Sequence, residues 1–205
     1  MTTPMPVYTA FAGHALLAAG PLAEVALAAR RAADGDAGAA VFIYEDATGR
    51  AIDVDTRGTD AEIVARLPLP LPTPVEPEAE AEPEGSPARP RGRGRPRLGV
   101  VAREVTLLPR HWDWLAGQPG GASVALRKLV EQARREHAGA DALRRGRDAA
   151  YTFMSAAAGN LPGFEEAVRA LYAGDAERLA AHMAGWPADV RAYALRLAGA
   201  ADLPA

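Results

Sequence analysis

The sequence predicts an α+β protein with an N-terminal ββαββα domain, a disordered linker rich in Pro, Glu and Arg, and a short strand followed by an all-helical C-terminal part. Three observations lead to this prediction. Two pairs of β-rich runs flank one amphipathic segment before residue 68, proline and charge dominate the next stretch, and apolar residues recur at helical spacing after residue 109. The predicted domains are residues 1–67, 68–98, 99–137 and 138–205.

The N-terminal domain is predicted from two turns and one helical face. Residues 7–19 are typical of two short strands around a tight turn at Gly13-His14, and VFIYEDATGRAIDVDT indicates a second hairpin through residues 46–49. Gly20-Pro21 ends the first hairpin, and Thr59 can cap a last short helix. The helix between the hairpins has apolar residues along one face, namely Leu22, Val25, Ala26 and Ala29.

The linker is predicted from composition and charge. Proline at near-alternate positions in residues 68–92 favours an extended polyproline II conformation, and the glutamates repel one another. The formal net charge is only -3, but the charges are segregated, so the local field matters more. The acidic run can fold back on the arginines and compete with DNA, or it only keeps the linker solvated. The acidic run is Glu76, Glu78, Glu80, Glu82 and Glu84, and the basic run is Arg89, Arg91, Arg93, Arg95 and Arg97.

Several classes of protein are excluded by composition and motif. The chain has no cysteine, which excludes disulfides, thiolate metal sites and cysteine nucleophiles. It has no apolar run of about 18 residues and no secretory leader, so we expect a cytoplasmic protein that does not enter a membrane. The histidines lack the spacing of a zinc site, and the GxSxG, Walker and dinucleotide-binding motifs are absent. The carboxylate pairs Asp53/Asp55 and Glu165/Glu166 have no basic or metal-binding partner in the sequence, so we predict no enzymatic activity, metal or cofactor.

An arginine-rich motif precedes the predicted strand. Gly94 has no Cβ, so the backbone can approach the floor of a DNA groove, and Pro96 holds the chain extended. The two core arginines can then enter the narrow, negative minor groove of A·T-rich DNA. The motif resembles the AT-hook, although an Arg-rich segment can also bind phosphates without specificity. The motif residues are Arg91, Arg93, Gly94, Arg95, Pro96 and Arg97.

The next segment, residues 99–135, resembles a ribbon-helix-helix module, the fold of many small bacterial repressors and antitoxins. The matching parts are the strand VVAREVTLL, Pro109 opening the helix RHWDWLAG, the turn QPGGAS and the helix VALRKLVEQARR. The resemblance implies a homodimer in which one strand from each chain pairs to form a ribbon in the major groove. Ser123 can cap the second helix, and the resemblance implies that Ser123 and its neighbours hold a DNA phosphate. The apolar face of that helix is Leu126, Leu129, Val130 and Ala133.

The predicted ribbon departs from the alternation of the family. One parity is Val101, Arg103, Val105 and Leu107, and the other is Ala102, Glu104, Thr106 and Leu108. We expect the first set to face inward, which presents Glu104 and Thr106 to the bases. A carboxylate can accept from a cytosine amino group, and threonine can contact a base edge or methyl group. A bulge would instead make Arg103 the reader, and the alternative is that this strand completes a sheet with the N-terminal domain.

The aromatic residues of the C-terminal half are expected to be mostly core. Trp112 and Trp114 lie two residues apart and cannot share a helix face, so we expect one in the core and the other at a dimer or domain boundary. His111 is a phosphate contact or a surface residue. A helix is predicted over residues 140–159, followed by three short helices that must pack together. Their predicted core is Phe164, Val168, Leu171, Leu179, Met183, Trp186, Tyr193 and Leu197.

Long phrases of the chain are similar to a bacterial family known only as a domain of unknown function. They are FAGHALLAAGPLAEVALAARRAAD, IYEDATGRAIDVDTRGT, GRPRLGVVAREVTLLPRHWDWLAGQPGGASVALRKLV and LPGFEEAVRALYAGD. The resemblance implies no mechanism.

The arginine-rich motif and the resemblance to a ribbon-helix-helix module together predict a homodimeric DNA-binding protein of the transcriptional-regulator kind that favours A·T-rich DNA. The alternative is a non-enzymatic interaction or ligand-sensing protein whose helical domain binds a protein or small-molecule effector.

Overall fold

The computed structural model describes residues 7–35, 40–68 and 103–200 of the 205-residue chain. The chain divides into two compact units. The first comprises Met1–Pro68 and Arg134–Ala205, and the second comprises Leu69–Ala133. The AT-hook-like motif at residues 91–97 and nearly all of the predicted linker lie outside the described residues, so these stay predictions from the sequence.

A four-stranded antiparallel sheet with strand order β2-β1-β3-β4 forms the N-terminal part of the first unit. The predicted ββαββα order and both hairpins are confirmed. Gly13 makes the first turn with a φ of 55°, which suits glycine. Thr59 caps α2 in a reciprocal capping box with Glu62, as its position predicts. The elements are β1 (Tyr8–Ala12), β2 (Ala15–Gly20), α1 (Leu22–Gly35), β3 (Val41–Glu45), β4 (Ala51–Ile52) and α2 (Asp60–Arg66).

One face of the sheet packs on α1. Ala10 of β1 lies opposite Ile43 of β3, and both belong to a buried cluster with Val25 and Ala29. The apolar face predicted for α1 is confirmed, because Val25, Ala26 and Ala29 are all buried. Side chains alternate between the faces of a strand, so the neighbours of Ala10 and Ile43 point away from α1 and need cover of their own.

The C-terminal helices of the same unit cover the other face. The ring of Phe153 lies among those of Phe11, Tyr44 and Tyr193, at centroid distances of 5.6, 4.9 and 4.5 Å. The rings are tilted or edge to face, the arrangements that aromatic pairs prefer. The predicted C-terminal core is confirmed: five of its residues are buried and three are partly buried against the same cluster. The five are Leu171, Leu179, Met183, Trp186 and Tyr193, and the three are Phe164, Val168 and Leu197.

The longest helix, α4, is continuous over 37 residues from Gly121 to Ala157. It joins the second helix of the predicted module to the helix predicted over residues 140–159. No proline interrupts the stretch between them, and Gly139 costs only about 1 kcal/mol in a helix interior. The helix therefore runs through residue 137, where a boundary was predicted. The other C-terminal helices are α3 (Pro109–Ala116), α5 (Phe164–Ala173), α6 (Ala176–His182) and α7 (Ala188–Leu197).

A polar cluster, here called the Asp46 cluster, connects the sheet to α7. The Oδ1 atom of Asp46 accepts hydrogen bonds of 2.8 Å from the hydroxyls of Thr9 and Tyr193. Its Oδ2 atom accepts a 2.8 Å bond from Nη1 of Arg196, whose Nη2 atom donates to the Thr9 hydroxyl at 3.3 Å. The side chain of Asp46 is 12% exposed and Thr9 is fully buried. The cluster thus satisfies polar groups that would be costly to bury alone.

At two positions of the first unit, backbones approach each other so closely that no side chain fits between them. A Cβ atom on Gly49, whose φ is 67°, would collide with the carbonyl oxygen of Ala149 on α4. A Cβ atom on Gly146 would lie 2.6 Å from the carbonyl oxygen of Leu197 at the end of α7. Glycine at these positions lets backbone pack directly on backbone.

The free energy of unfolding at alkaline pH is expected to depend on the ionisation of Tyr193. Burial raises the pKa of Tyr193, and the Asp46 carboxylate that accepts its hydroxyl hydrogen bond raises it further. An unfolded tyrosine titrates near pH 10, so above that pH the unfolded chain loses its proton first and stability falls as pH rises. Below about pH 10 the contribution is fully present. Tyr193→Phe should therefore show a shallower fall in unfolding free energy above about pH 10, by up to roughly 1.4 kcal/mol per pH unit.

The measurement is urea unfolding of both proteins at a series of pH values. Below about pH 9 the two curves should run parallel, because the phenol is neutral in both states there. Equal slopes above about pH 10 would contradict the expectation.

Candidate nucleic-acid interface

The described part of the predicted ribbon strand, residues 103–108, does not form a strand. Residues 103–108 have no regular secondary structure, and residues 103–107 form no backbone hydrogen bond to other backbone groups in the described ranges. The expected alternation of buried and exposed side chains is absent. Arg103, Glu104, Val105, Thr106 and Leu108 are exposed, and Leu107 is half-buried. Residues 99–102 lie outside the described residues.

The alternative, in which this strand completes the N-terminal sheet, is wrong for residues 103–108. In the part of the chain that the structure describes, that sheet consists of β1 to β4, and β2 and β4 are its edges. Residues 103–108 thus reach α3 with backbone groups that no described strand pairs. Pairing between two chains stays a prediction.

Pro109 opens α3 as predicted, but neither tryptophan of this helix is buried. Trp112 is 42% exposed and Trp114 is 54% exposed, whereas Leu115 is only 3% exposed. The prediction that one tryptophan is core is therefore wrong. The described part of the second unit, residues 103–133, is too small for an extensive core, and Leu115 and Ala125 are its buried apolar residues.

The helix α4 begins two residues earlier than Ser123. Gly120 and Gly121 have φ values of 86° and 74°, and the Gly121 amide donates a 2.9 Å hydrogen bond to the carbonyl oxygen of Gln118. Ser123 is the third helical residue and is exposed, so its predicted capping role is wrong. It still lies in the first turn, where amides lack intrahelical acceptors and the helix dipole is positive. The phosphate contact stays a prediction.

The apolar face predicted for the start of α4 is largely uncovered. Leu126 is half-buried, but Leu129 is 44% exposed and Val130 is 57% exposed. Leu129 and Val130, together with four apolar side chains before and on α3, form an exposed apolar set that is large for so small a unit. This set, named here the apolar set, is Val105, Leu108, Trp112, Trp114, Leu129 and Val130.

Three basic side chains near these residues have no counter-ion. Arg103, Arg110 and Lys128 form no ion pair within the described part of the chain. In contrast, Arg127 donates from Nε to the carbonyl oxygen of Ser123 at 3.1 Å. The sequence prediction named Arg103 but missed Arg110 and Lys128. Their positions, in the first turn of α3 and beside the apolar face of α4, were available as a signal.

The carboxylate pair Asp53/Asp55 was expected to lack a basic partner, but Asp55 pairs with arginine. Nε of Arg57 donates to Oδ1 of Asp55 at 2.8 Å, and Arg66 lies at 3.8 Å. These hydrogen bonds from Arg57 hold the pKa of Asp55 well below its usual range. Asp55 is thus an ionised, exposed partner of arginine.

Within residues 7–35, 40–68 and 103–200, no three His, Asp or Glu side chains come together in a way that could hold a metal ion. The helices of these same residues include none with the length and apolar character needed to cross a membrane.

Comparison with known proteins identifies a bacterial family. A family model described as "Uncharacterized protein conserved in bacteria (DUF2239)" matches residues 7–198, which include every helix and strand described above. No curated protein and no solved structure matches the chain.

Proposed function

We propose that this chain, which belongs to the bacterial family DUF2239, is a cytoplasmic, non-enzymatic DNA-binding protein that acts as a homodimer. The observation that carries the proposal is the apolar set, which lies in the same unit as unpaired basic residues and follows the AT-hook-like motif in sequence. Each of these features has a separate physical consequence.

The apolar set supports a second copy of the chain as partner. Large exposed apolar side chains mark interaction surfaces, and tryptophan is enriched at the centres of interfaces. The described part of the second unit, residues 103–133, buries few apolar residues of its own, so a second copy would complete its core. Two copies of residues 103–108 would also satisfy each other's backbone groups in an antiparallel pair, and symmetric dimers are the commonest soluble oligomers.

The unpaired cations support a polyanion as ligand. Arg110 lies in the first turn of α3, where the helix dipole makes a cation unfavourable, so its presence there has no stabilising role within the helix. Arg103 and Lys128 add further charge, and neither has an ion-pair partner among the described residues. A dimer would double this charge and that of the arginine-rich motif, which raises the attraction to phosphates.

The proposed contacts are divided between the two grooves and the phosphates. Arg93 and Arg95 enter the minor groove, with Gly94 and Pro96 shaping the chain and Arg91 and Arg97 on phosphates. On the paired ribbon, Glu104 and Thr106 face the major groove, and a bulge in the strand would bring Arg103 to the groove as well. The amides at the start of α4, including that of Ser123, hold a phosphate.

Removal of the core arginines is expected to weaken DNA binding most on A·T-rich duplexes. The experiment is a fluorescence-anisotropy titration of the full chain with A·T-rich and G·C-rich duplexes at two salt concentrations. Replacing Arg93 and Arg95 together by Ala should weaken A·T-rich binding by about tenfold and lower the salt slope by roughly 2, because two cations are lost.

The matched control replaces Arg169 and Arg178 by Ala, which removes the same charge. Both are exposed arginines that pair with carboxylates three residues away, Arg169 with Glu166 and Arg178 with Asp175, and such pairs contribute little. This control should bind as the wild type does. Unchanged A·T-rich binding by the Arg93/Arg95 variant would overturn the minor-groove assignment.

Sizing of the free protein at micromolar concentration tests the dimer separately. The wild type should size as a dimer and Trp114→Glu as a monomer, because a carboxylate would be buried at the centre of the interface. Val64→Glu places the same charge on an apolar residue of α2 that is exposed in the first unit, and it should remain a dimer. A monomeric wild type would exclude the ribbon while leaving the minor-groove result interpretable.

A non-enzymatic ligand-sensing protein is the second candidate. It is favoured by a groove beside α4 in the first unit, lined by Leu143 and Arg147, because Arg147 has no counter-ion among the described residues. Absence of DNA binding by the wild type at low salt, where electrostatic attraction is strongest, would favour this candidate over the first.

A further inference from the structure

A groove runs beside α4 in the first unit, well apart in sequence from the proposed DNA contacts. It consists of two adjoining cavities of about 240 and 210 Å³, and both are lined by Leu143 and Arg147. These two residues lie one turn apart on α4. The opposite walls come from the end of α5, the turn into α6 and the residues after α7.

Arg147 is the one arginine that lines both cavities, and it is half-buried. Its guanidinium lies against Gly174, where a Cβ atom would be 2.6 Å from Nη2. Within the described residues Arg147 forms no hydrogen bond or ion pair. In contrast, Arg144, which lines the outer cavity, pairs with Asp141 at 2.9 Å.

A half-buried guanidinium without a partner is unfavourable, because it has lost part of its hydration. Gly174 is the C-cap of α5, so the negative end of that helix dipole gives Arg147 partial compensation. The dipole does not satisfy the planar, forked set of hydrogen-bond donors that a guanidinium presents. A carboxylate would fill it through two parallel hydrogen bonds.

The rest of the groove selects against ligands that are only charged. Leu143 is 52% exposed and Tyr172 is 48% exposed at the outer cavity, so both offer apolar surface that a ligand would cover. Asp148 lines the same cavity and would repel a second negative charge on the ligand. Most residues that line the inner cavity have apolar side chains, among them Ala170, Leu171, Leu179, Ala198 and Ala200, but Asp175 lines it as well. The Asp175 carboxylate is already engaged by Arg178, through the backbone N–H at 3.0 Å and the guanidinium at 3.4 Å.

We infer that this groove binds a small organic monocarboxylate, with the carboxylate on Arg147 and an apolar body along Leu143 and the inner cavity. The cavities are below the range of about 300–1,000 Å³ typical of drug-sized ligands, which sets the scale of the ligand. The inference goes beyond the proposed function and does not depend on it. No residue of the groove belongs to the second unit or to the arginine-rich motif.

The test is isothermal titration calorimetry of the full chain with sodium hexanoate as the probe. Hexanoate should bind saturably at one site per chain. Arg147→Met keeps the apolar volume and removes the charge, and it should weaken hexanoate binding by at least about tenfold. Arg147→Lys keeps the charge but loses the fork, so its affinity should fall between the two.

Arg145→Met is the matched control, because Arg145 is an exposed neighbour on the same helix that lines neither cavity. It should bind hexanoate as the wild type does. Hexylamine and inorganic phosphate should both bind much more weakly than hexanoate, since one lacks the anion and the other lacks the apolar body. Equal binding of either compound, no saturable binding of hexanoate, or an unchanged affinity in Arg147→Met would overturn the inference. Circular dichroism of each variant confirms that it is folded.

Discussion

Replacing Asp46 by Ala is expected to lower the free energy of unfolding by about 3–4 kcal/mol. The change removes one acceptor group and leaves three donors without it. Thr9 is fully buried and the Tyr193 hydroxyl donates to the same oxygen, so neither has ready access to water. Arg196 would lose its carboxylate at the same time. Urea unfolding followed by circular dichroism gives the free energy directly.

The neighbouring carboxylate Asp53 provides the matched control. Asp53 is exposed, and Asp53→Ala should change the unfolding free energy by less than about 0.5 kcal/mol. Asp46→Asn retains an acceptor and should fall between the control and Asp46→Ala. A loss below about 1 kcal/mol in Asp46→Ala would show that the cluster contributes little net stability.

Replacing Phe153 by Ala is expected to destabilise the protein by about 3–5 kcal/mol. Phe153 is fully buried, and its ring contacts those of Phe11, Tyr44 and Tyr193. Its removal would leave a cavity bordered by elements of both the sheet and α7. Phe153→Leu fills more of that space and should cost less.

Tyr151 lies two residues away on the same helix and is 41% exposed, so Tyr151→Ala is the control and should have a much smaller effect.

The shape of the urea unfolding transition is also informative. We expect the sheet and the C-terminal helices of the first unit to unfold together, so probes of strand and helix should give coincident curves. Loss of the helical signal at lower urea than the strand signal, in Phe153→Ala, would contradict this expectation.

Local patterns were sufficient to predict most elements of the fold, but not the length of α4 or the irregular conformation of residues 103–108. The buried face of α1, the capping box at Thr59 and the turn at Gly13 each depend on residues close together in sequence. The same is true of the short C-terminal helices and their core residues. Such features are set by helix or strand period and by turn chemistry, which a single sequence displays.

The partner of each face was not predictable in this way. The alternation in β1 indicates that Phe11 and Thr9 share one face, but it does not identify what covers that face. The cover is formed by Phe153 and Tyr193, far along the chain, and the sequence contains no local mark of the contact. The Asp46 cluster was unpredictable for the same reason, although Asp46 itself was placed correctly in a turn.

The candidate interface shows a different limit of prediction from sequence. Tryptophan is usually a core residue, so the sequence favoured burial of Trp112 or Trp114, and the unit proved too small to bury either. The arginine-rich motif, in contrast, is a short sequence whose proposed chemistry needs no tertiary contact. Arg147 drew no attention in the sequence because an arginine in a polar helix is ordinary until its lack of a counter-ion is known.

The distance in sequence between the sheet and its cover affects how the chain can fold during synthesis. Tyr193 follows Asp46 by 147 residues, so at about 5–20 residues per second it is made roughly 7–30 s later. Until Phe153 of α4 and then Tyr193 of α7 are made, the nascent sheet has α1 on one face and lacks its native cover on the other, where Phe11 and Tyr44 lie. We therefore expect the first unit to complete its folding only after α7 has been made, and to need protection from aggregation until then.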